Sequence, residues 1–221
     1  MTRDSVAQGA SGTTGAADKP LLLDDCLGTI VEEYLFGDLD SMTALEIKPV
    51  GAVCYPIMMA VLAGSELLGV LTGKGGSGVA HYWEEFMSRV EPTYGQLGEL
   101  ADVLLRNGLM HAYVTKPGVG IRRDDPDAHL TTDASGLHVF NCDVLAEHFK
   151  TSYRDHARAA IYADRARAQQ RLDDRVMAHA AKQASTILAS IPAGVFRTYV
   201  PGSTLTPSGT ELRWSTPSQV P

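Results

Sequence analysis

Hydrophobic positions along the chain fall at helical spacing over most of its length and alternate in one short window. Leu23, Leu27, Ile30, Val31, Tyr34 and Leu35 recur at intervals of three and four, which predicts a helix with one buried face, starting near Pro20. Gly37-Asp38 and Pro49-Val50-Gly51 read as breaks. A second helix is expected from about Ala52 to Leu71, with Pro56 in its first turn or at a kink. Its small residues Ala60, Ala63, Gly64 and Gly69 leave room for another helix to come close. Tyr82, Trp83, Phe86 and Val90 stripe a short helix over 81–90, as core residues rather than a platform for stacking bases. The next helix runs from about Thr93 through Leu97, Leu100, Val103 and Leu104.

Past residue 111 the period shortens. Residues 112–115 and 119–122 flank the turn Lys116-Pro117-Gly118, and residues 130–132 and 137–140 flank a second turn. A small antiparallel sheet of two or three strands is expected there. Asn141 is placed to cap a helix beginning near Asp143, and a long helical stretch follows from about Val144 to Ile191, with room for one interruption. The Gly/Ala/Thr-rich residues 1–19 and the Pro/Ser/Thr-rich residues 192–221 read as disordered or flexible tails around a single domain at 20–191. The expected fold is therefore mainly α: an antiparallel helical bundle with a small β-hairpin insert at about 112–141 and a long C-terminal helix.

A chain of 221 residues with 44% hydrophobic and 20% charged residues can bury a sizeable core and stay soluble. Its net charge of −7 argues against coating nucleic acid by bulk electrostatics, while leaving room for a local basic site. Charge is unevenly placed: residues 1–47 hold two basic and nine acidic side chains, and residues 150–182 hold eight Lys/Arg against four Asp/Glu. Arg154, Arg158, Arg165, Arg167, Arg171 and Arg175 could meet a phosphate backbone, but their alternation with Asp155, Asp164, Asp173 and Asp174 favours a salt-bridged solvent face.

Cys26, Cys54 and Cys142 lie far apart, with no Cys-x-x-Cys and no Cys/His spacing suited to zinc, so reduced thiols and no metal are expected. The first twenty residues lack an apolar signal region, and Ile57–Leu71, carrying Ser65 and Glu66, reads as too short and interrupted to span a bilayer. The expectation is a cytoplasmic protein with no membrane partner. The run Gly73-Lys74-Gly75-Gly76-Ser77-Gly78 is not a phosphate loop: the upstream glycine spacing is wrong, and Gly75 stands where a Ser or Thr should hold magnesium.

The chemistry-bearing stretch is Ala101–Tyr113, where Arg106, Asn107, His111 and Tyr113 interrupt an apolar helical pattern. Arg106 offers a fixed charge and a donor fork suited to phosphate oxygens. His111 has the intrinsic affinity for protons that transfer near neutral pH needs, and Asn107 can orient the ring or a substrate. On an ideal helix Asn107 and His111 share a face, whereas Arg106 and His111, five apart, differ by about 140°. Either the helix unwinds after Gly108, or two copies of the chain meet around a two-fold axis to build one cleft. Glu66 is the carboxylate in an otherwise apolar helix. It is either a partly exposed residue, or partner to a buried Arg, or a support that orients Arg106. The remaining histidines, His81, His129, His138, His148, His156 and His179, show no metal spacing and receive no role.

Arg106-x4-His111-x-Tyr113 resembles the Arg-x4-His-x-Tyr motif of the HEPN superfamily, small helical domains that include metal-independent ribonucleases. The resemblance covers roughly residues 93–115 in detail and residues 21–190 only as a helical layout. It implies a cofactor-free, metal-independent endoribonuclease in a toxin–antitoxin or phage-defence setting, with RNA as substrate and a homodimer as the working unit. It also implies Arg106, Asn107 and His111 as the catalytic set, and Tyr113 as the residue a cognate antitoxin nucleotidyltransferase would modify. The chain is longer than compact toxins of that family, and its strand-rich insert has no counterpart there. The competing expectation is a non-catalytic helical dimerisation or scaffold module.

Overall fold

The computed structural model describes residues 21–47, 53–73, 76–112, 115–177 and 190, without the side chains of residues 110–112 and 177. The chain divides into two units, Met1–Ala180 and Ala181–Pro221. Every element below belongs to the first, and of the second only Ser190 is described, as helical. The expectations for residues 1–19, 178–189 and 192–221 lie outside the described residues.

The fold is mainly helical, with six helices among the described residues and a small three-stranded sheet between them. Helix α1 spans 23–43, α2 Cys54–Thr72, α3 Gly78–Glu85 and α4 98–112; α5 spans 142–163 and α6 165–177. Strands β1 (Val119–Arg122), β2 (Thr131–Thr132) and β3 (His138–Asn141) lie between α4 and α5.

Four of these helices contain stretches wound with i to i+5 hydrogen bonds: Cys26–Leu35 in α1, Ala101–Arg106 in α4, Tyr153–Ala157 in α5 and Leu172–Met177 in α6. The buried positions give a reason. They step by four in α1 (Leu23, Leu27, Val31), in α4 (Ala101, Leu105, Leu109) and in α5 (Leu145, Phe149, Tyr153, Ala157, Ile161). In a pure α-helix each four-residue step drifts by about 40°, so the α5 stripe would turn by roughly 160° and leave the core. Widened turns undo that drift. In α1 the next buried residue after Val31 is Phe36, and the Phe36 N–H donates to the Val31 carbonyl. Ile30 and Tyr34, expected on the buried stripe, are exposed as a result.

Gly37 does not break α1, which continues to Thr43: a Cβ at this position would meet open space, so nothing steric stops the helix there. Helix α2 is the centre of the fold. It is 19 residues long, and an 18-residue stretch of it has a mean hydropathy of 1.7, long and apolar enough by composition to cross a bilayer, so the span 57–71 understates its length. Its packing is nevertheless that of a core helix, with Ile57, Met58, Val61, Leu62, Leu68 and Leu71 buried. Pro56 sits in its first turn, as expected.

The small-residue face of α2 does admit close neighbours. A Cβ on Gly69 would lie 1.9 Å from the Gly78 carbonyl oxygen, so α2 and the start of α3 touch backbone to backbone. A Cβ on Gly64 would meet the Phe149 ring at 2.5 Å. Tyr82, Trp83 and Phe86 of the α3 region are core residues.

The sheet order is β1-β3-β2. The β2–β3 hairpin is the expected antiparallel one, with Thr131 opposite Val139. Among the described residues β1 pairs with β3, in parallel, Val119 opposite His138, and Ala112, expected in a strand, is helical; residues 113–114 of the expected first strand lie outside the described residues. The excursion through 123–137 returns the chain to the same end of the sheet before β3 begins, which makes the pair parallel. Asn141 caps α5 as expected, its Oδ1 accepting from the Asp143 and Val144 amides at 3.0 and 3.1 Å. Among the described residues the long C-terminal helix is interrupted once, at Asp164, where the backbone leaves helical geometry.

Arginines of α5 and α6 bond within the fold rather than facing outward as a free stripe. Arg158 pairs with Glu32 and Arg165 with Asp24, both on acidic α1; Arg167 pairs with Asp164. Arg171 and Arg175 donate to the Leu71 and Gly76 carbonyls, and Arg154 lies over the Phe36 ring. A salt-bridged face is observed, but the carboxylates that serve Arg158 and Arg165 are on α1; of the alternating aspartates, Asp164 pairs with Arg167. Within the insert, Arg123 is almost fully buried and binds the Asp143 carboxylate at 2.9 and 3.0 Å and the Thr43 carbonyl at 2.7 Å. One guanidinium thereby ties the sheet to the ends of both α1 and α5.

Candidate functional site

Arg106 and Asn107 lie in the middle of α4 where the widened turn meets ordinary α-helix, marked by the Asn107 N–H donating to the Asp102 carbonyl. Widened turns recur in α1, α5 and α6, so this winding does not by itself single out the motif. Ala101, Leu105 and Leu109 anchor one face of α4 in the core. The other face carries Val103, 38% exposed, with half-buried Arg106 and Asn107 on either side of it. Val103, Arg106 and Asn107, three and four residues apart, lie on this outer face. The Lys116 N–H donates to the Leu104 carbonyl at 3.5 Å, so the chain folds back along the helix after the motif.

The Arg106 guanidinium is 38% exposed and reaches one carboxylate, Asp102, at 3.4 Å one turn back. Exposed i, i+4 pairs of this kind contribute about 0.3–0.5 kcal/mol, too little to fix the side chain against a phosphate. Glu66 lies elsewhere: its Oε2 accepts from the Val79 amide at 3.1 Å, beside Ser77, whose hydroxyl accepts from Ala80. It thus completes the N-terminus of α3, where a carboxylate also meets the positive end of the helix dipole. The backbone of His111 is helical. Its side chain, and Tyr113 as a whole, lie outside the described residues.

A second cluster draws on three separate elements. The Tyr94 hydroxyl, from the turn Pro92–Gln96 before α4, lies 2.6 Å from His129 Nε2 and 3.1 Å from His148 Nδ1. His129 precedes β2 and His148 is on α5, and the two rings sit 5.6 Å apart. The direction of every bond follows from one contact. The Asn141 N–H donates to His129 Nδ1 at 3.1 Å, so that nitrogen carries no proton. The neutral His129 ring is therefore protonated at Nε2 and donates to Tyr94, whose own proton goes to His148 Nδ1. His148 then carries its proton on Nε2.

Burial and the neighbouring His148 hold the His129 ring well below the ordinary imidazole range, at about 4. Burial also lowers His148, against the opposing pull of Glu91 and Glu147. Both rings are neutral at pH 7. Tyr94 is fully buried, and burial keeps its phenol protonated. This chain of bonds is poorly built for acid–base catalysis. Releasing the His148 Nε2 proton through it would leave an imidazolate at His129, because a backbone amide cannot resupply Nδ1. What it does well is hold the insert, the Tyr94 turn and α5 together with fixed tautomers.

The sequence offered no sign of this cluster, since the partners stand 35 and 54 positions apart. Two cavities among the described residues, of about 200 and 180 Å³, lie away from Arg106 and Asn107. The first is lined by His81, Glu85, Asp164 and Arg171. The described residues hold no group of three or more His, Cys, Asp or Glu side chains placed to bind a metal ion. No family model, no curated protein and no solved structure matches the chain.

Proposed function

We propose that the protein is a metal-independent endoribonuclease whose cleft forms between two copies of the chain, acting in a toxin or phage-defence setting. The observation that carries the reading is the outward arc of α4: Arg106 and Asn107 stand unburied around exposed Val103, on the helix that also bears His111. A helix that served packing alone would gain nothing from an apolar residue and two polar ones exposed together. Two such arcs brought face to face would bury Val103 and bring two guanidiniums, two amides and two imidazoles into one cleft. The Arg106 pair would neutralise the phosphate and stabilise charge on the pentavalent phosphorus. One His111 would take the 2′-hydroxyl proton and the other would protonate the leaving oxygen. Tyr113 is the residue a partner nucleotidyltransferase would modify.

Purified full-length protein should cleave labelled single-stranded RNA in EDTA, leaving cyclic-phosphate ends, and should run as a dimer. Arg106→Ala and His111→Ala should each lower the rate by about a hundredfold or more without loss of fold. A folded dimer, shown by mass to be unmodified at Tyr113, that leaves RNA intact would overturn the reading. It would favour the second one, a non-catalytic dimerisation or scaffold module. One observation supports that alternative: Arg106 already has Asp102 as partner and needs no anion.

A further inference from the structure

A cavity of about 200 Å³ lies where the end of α2, α3, the end of α5 and α6 come together. Leu71, Phe86 and Ile161 make part of its wall apolar. The rest carries charge: Glu85 and Asp164 bring carboxylates that are about half exposed, and Arg171 brings a guanidinium. Glu85 pairs with Arg89 and Asp164 with Arg167, each a surface pair between residues close in sequence. Such pairs hold weakly and leave the carboxylates able to accept a second donor. Arg171 is half-buried, and its Nη1 donates to the Leu71 carbonyl at 2.8 Å. Among the described residues no carboxylate pairs with it. His81 also lines the cavity, and its Nε2 is shielded from water without a hydrogen-bond partner among the described residues.

We propose that this cavity binds a small zwitterion with an apolar body, the chemistry of a free aliphatic amino acid. The charges decide the class by exclusion. A simple anion would meet Arg171 but also two carboxylates, and a simple cation would meet those carboxylates but also a half-buried guanidinium. A metal ion lacks a ligand set, because the described residues hold no three His, Cys, Asp or Glu side chains placed for one. A molecule with both charges answers both signs. Its carboxylate takes the guanidinium fork of Arg171, and its ammonium donates to Glu85 and Asp164. Its aliphatic part lies against Leu71, Phe86 and Ile161. Sites for larger ligands span roughly 300–1,000 Å³, so a cavity of about 200 Å³ excludes a nucleotide or a peptide and suits one amino acid.

The unbonded imidazole nitrogen fits the same occupant. A buried polar atom without a partner is rare in a native fold and marks a group that is missing one. Because His81 lines the cavity, a turn of its ring would bring Nε2 to the ligand. That nitrogen accepts from the ammonium when it carries no proton, and donates to the carboxylate when it does. A bound amino acid would also join α3 to both sides of Asp164, where α5 gives way to α6 and the backbone leaves helical geometry. The interruption would then be held in one geometry by the ligand as well as by the chain. This inference stands independently of what Arg106 and His111 do.

The test titrates the full-length chain with L-leucine, L-isoleucine and L-valine, by calorimetry and by thermal unfolding. At least one should bind saturably, at a single site per chain, and raise the melting temperature as its concentration rises. Its analogues that lack the ammonium or the carboxylate (for leucine, isocaproate and isopentylamine) should each bind about tenfold more weakly or worse. Amide exchange should slow at residues 81–86 and 160–171 when the ligand is bound. Arg171→Gln, which removes the cation, and Ala160→Leu, which fills the cavity without touching a polar group, should each weaken binding by about tenfold or more. No saturable binding by any of the three amino acids would overturn the proposal. So would a singly charged analogue that binds as tightly as its parent, or protection confined to other parts of the chain. These readouts come from the wild-type chain, so they decide the matter even if the variants fold poorly.

Discussion

Acidification is the perturbation that the Tyr94–His129–His148 cluster is least able to tolerate. The folded-state affinity of His129 for a proton is set at about 4, against 6.5 for an ordinary imidazole. Above pH 6.5 neither the folded nor the unfolded chain is protonated there, and the residue contributes no pH dependence. Between 6.5 and 4 the unfolded chain takes up a proton that the folded one refuses, so stability falls as pH falls, and the loss is complete only below 4. From pH 7.5 to pH 5 the cost is at most about 2 kcal/mol at 1.36 kcal/mol per tenfold change in affinity, and solvent screening of a partly exposed ring reduces it to ~1 kcal/mol.

His148 acts in the same direction, since its affinity is lowered too. Glu91 faces both rings and Glu147 faces His148; their charges oppose the effect without reversing it. Stopping at pH 5 keeps ordinary carboxylates ionised, so acid titration of Asp and Glu does not obscure the window. The assay is urea unfolding at the two pH values, paired with an NMR titration of the imidazole nitrogens. Wild type should lose about 1 kcal/mol or more between pH 7.5 and 5, and His129→Gln should lose less. The neutral rings should show the proton on Nε2 in both His129 and His148. A His129 that titrates at or above 6.5, or one protonated on Nδ1 while neutral, would refute the bond directions assigned to the cluster.

Two further substitutions probe what positions the motif. Gly69→Ala would place a methyl group 1.9 Å from the Gly78 carbonyl oxygen, and both partners are backbone, so relief requires α2 and α3 to separate. A loss of about 3 kcal/mol or more is expected in urea unfolding, and a variant within about 0.5 kcal/mol of wild type would show that the helices do not cross so tightly. Arg123→Met would leave the Thr43 carbonyl and the Asp143 carboxylate without their buried donor. A loss of about 3 kcal/mol is expected, and a double-mutant cycle with Asp143→Asn should show strong coupling; additive losses would place the energy outside that pair.

The helical layout was legible because burial and helical period coincide. The exception in α1 is the step between buried residues: intervals of four, then five, belong to a mixed winding, and a template of three and four assigns Ile30 and Tyr34 to the wrong face. Asn141 was legible for the opposite reason. A cap is a local arrangement between one side chain and amides two and three residues on, and needs no tertiary knowledge. The direction of β1 was not legible, because it depends on where the 123–137 excursion returns. Nor was the Tyr94 cluster: it is a coincidence of elements far apart in sequence, and no spacing rule reaches it.

The motif shows why legibility of residues is not legibility of a site. The widened winding stops at Arg106, so on ideal helix geometry the five-residue offset from Arg106 to His111 keeps a divergence of about 140°. Had that winding continued through His111, i to i+5 bonding would have brought the two groups toward one face, and one chain could have held both at a phosphate. On an ideal helix the offset separates the two positions, which is why the proposed cleft takes Arg106 and His111 from different chains. In that cleft both imidazoles act, so exchanging wild-type protein into mixed dimers with an excess of His111→Ala chain is the test: each mixed cleft holds one imidazole, and activity per wild-type chain should fall in proportion to the wild-type fraction. Activity per wild-type chain that stays constant through the exchange would remove the dimeric mechanism.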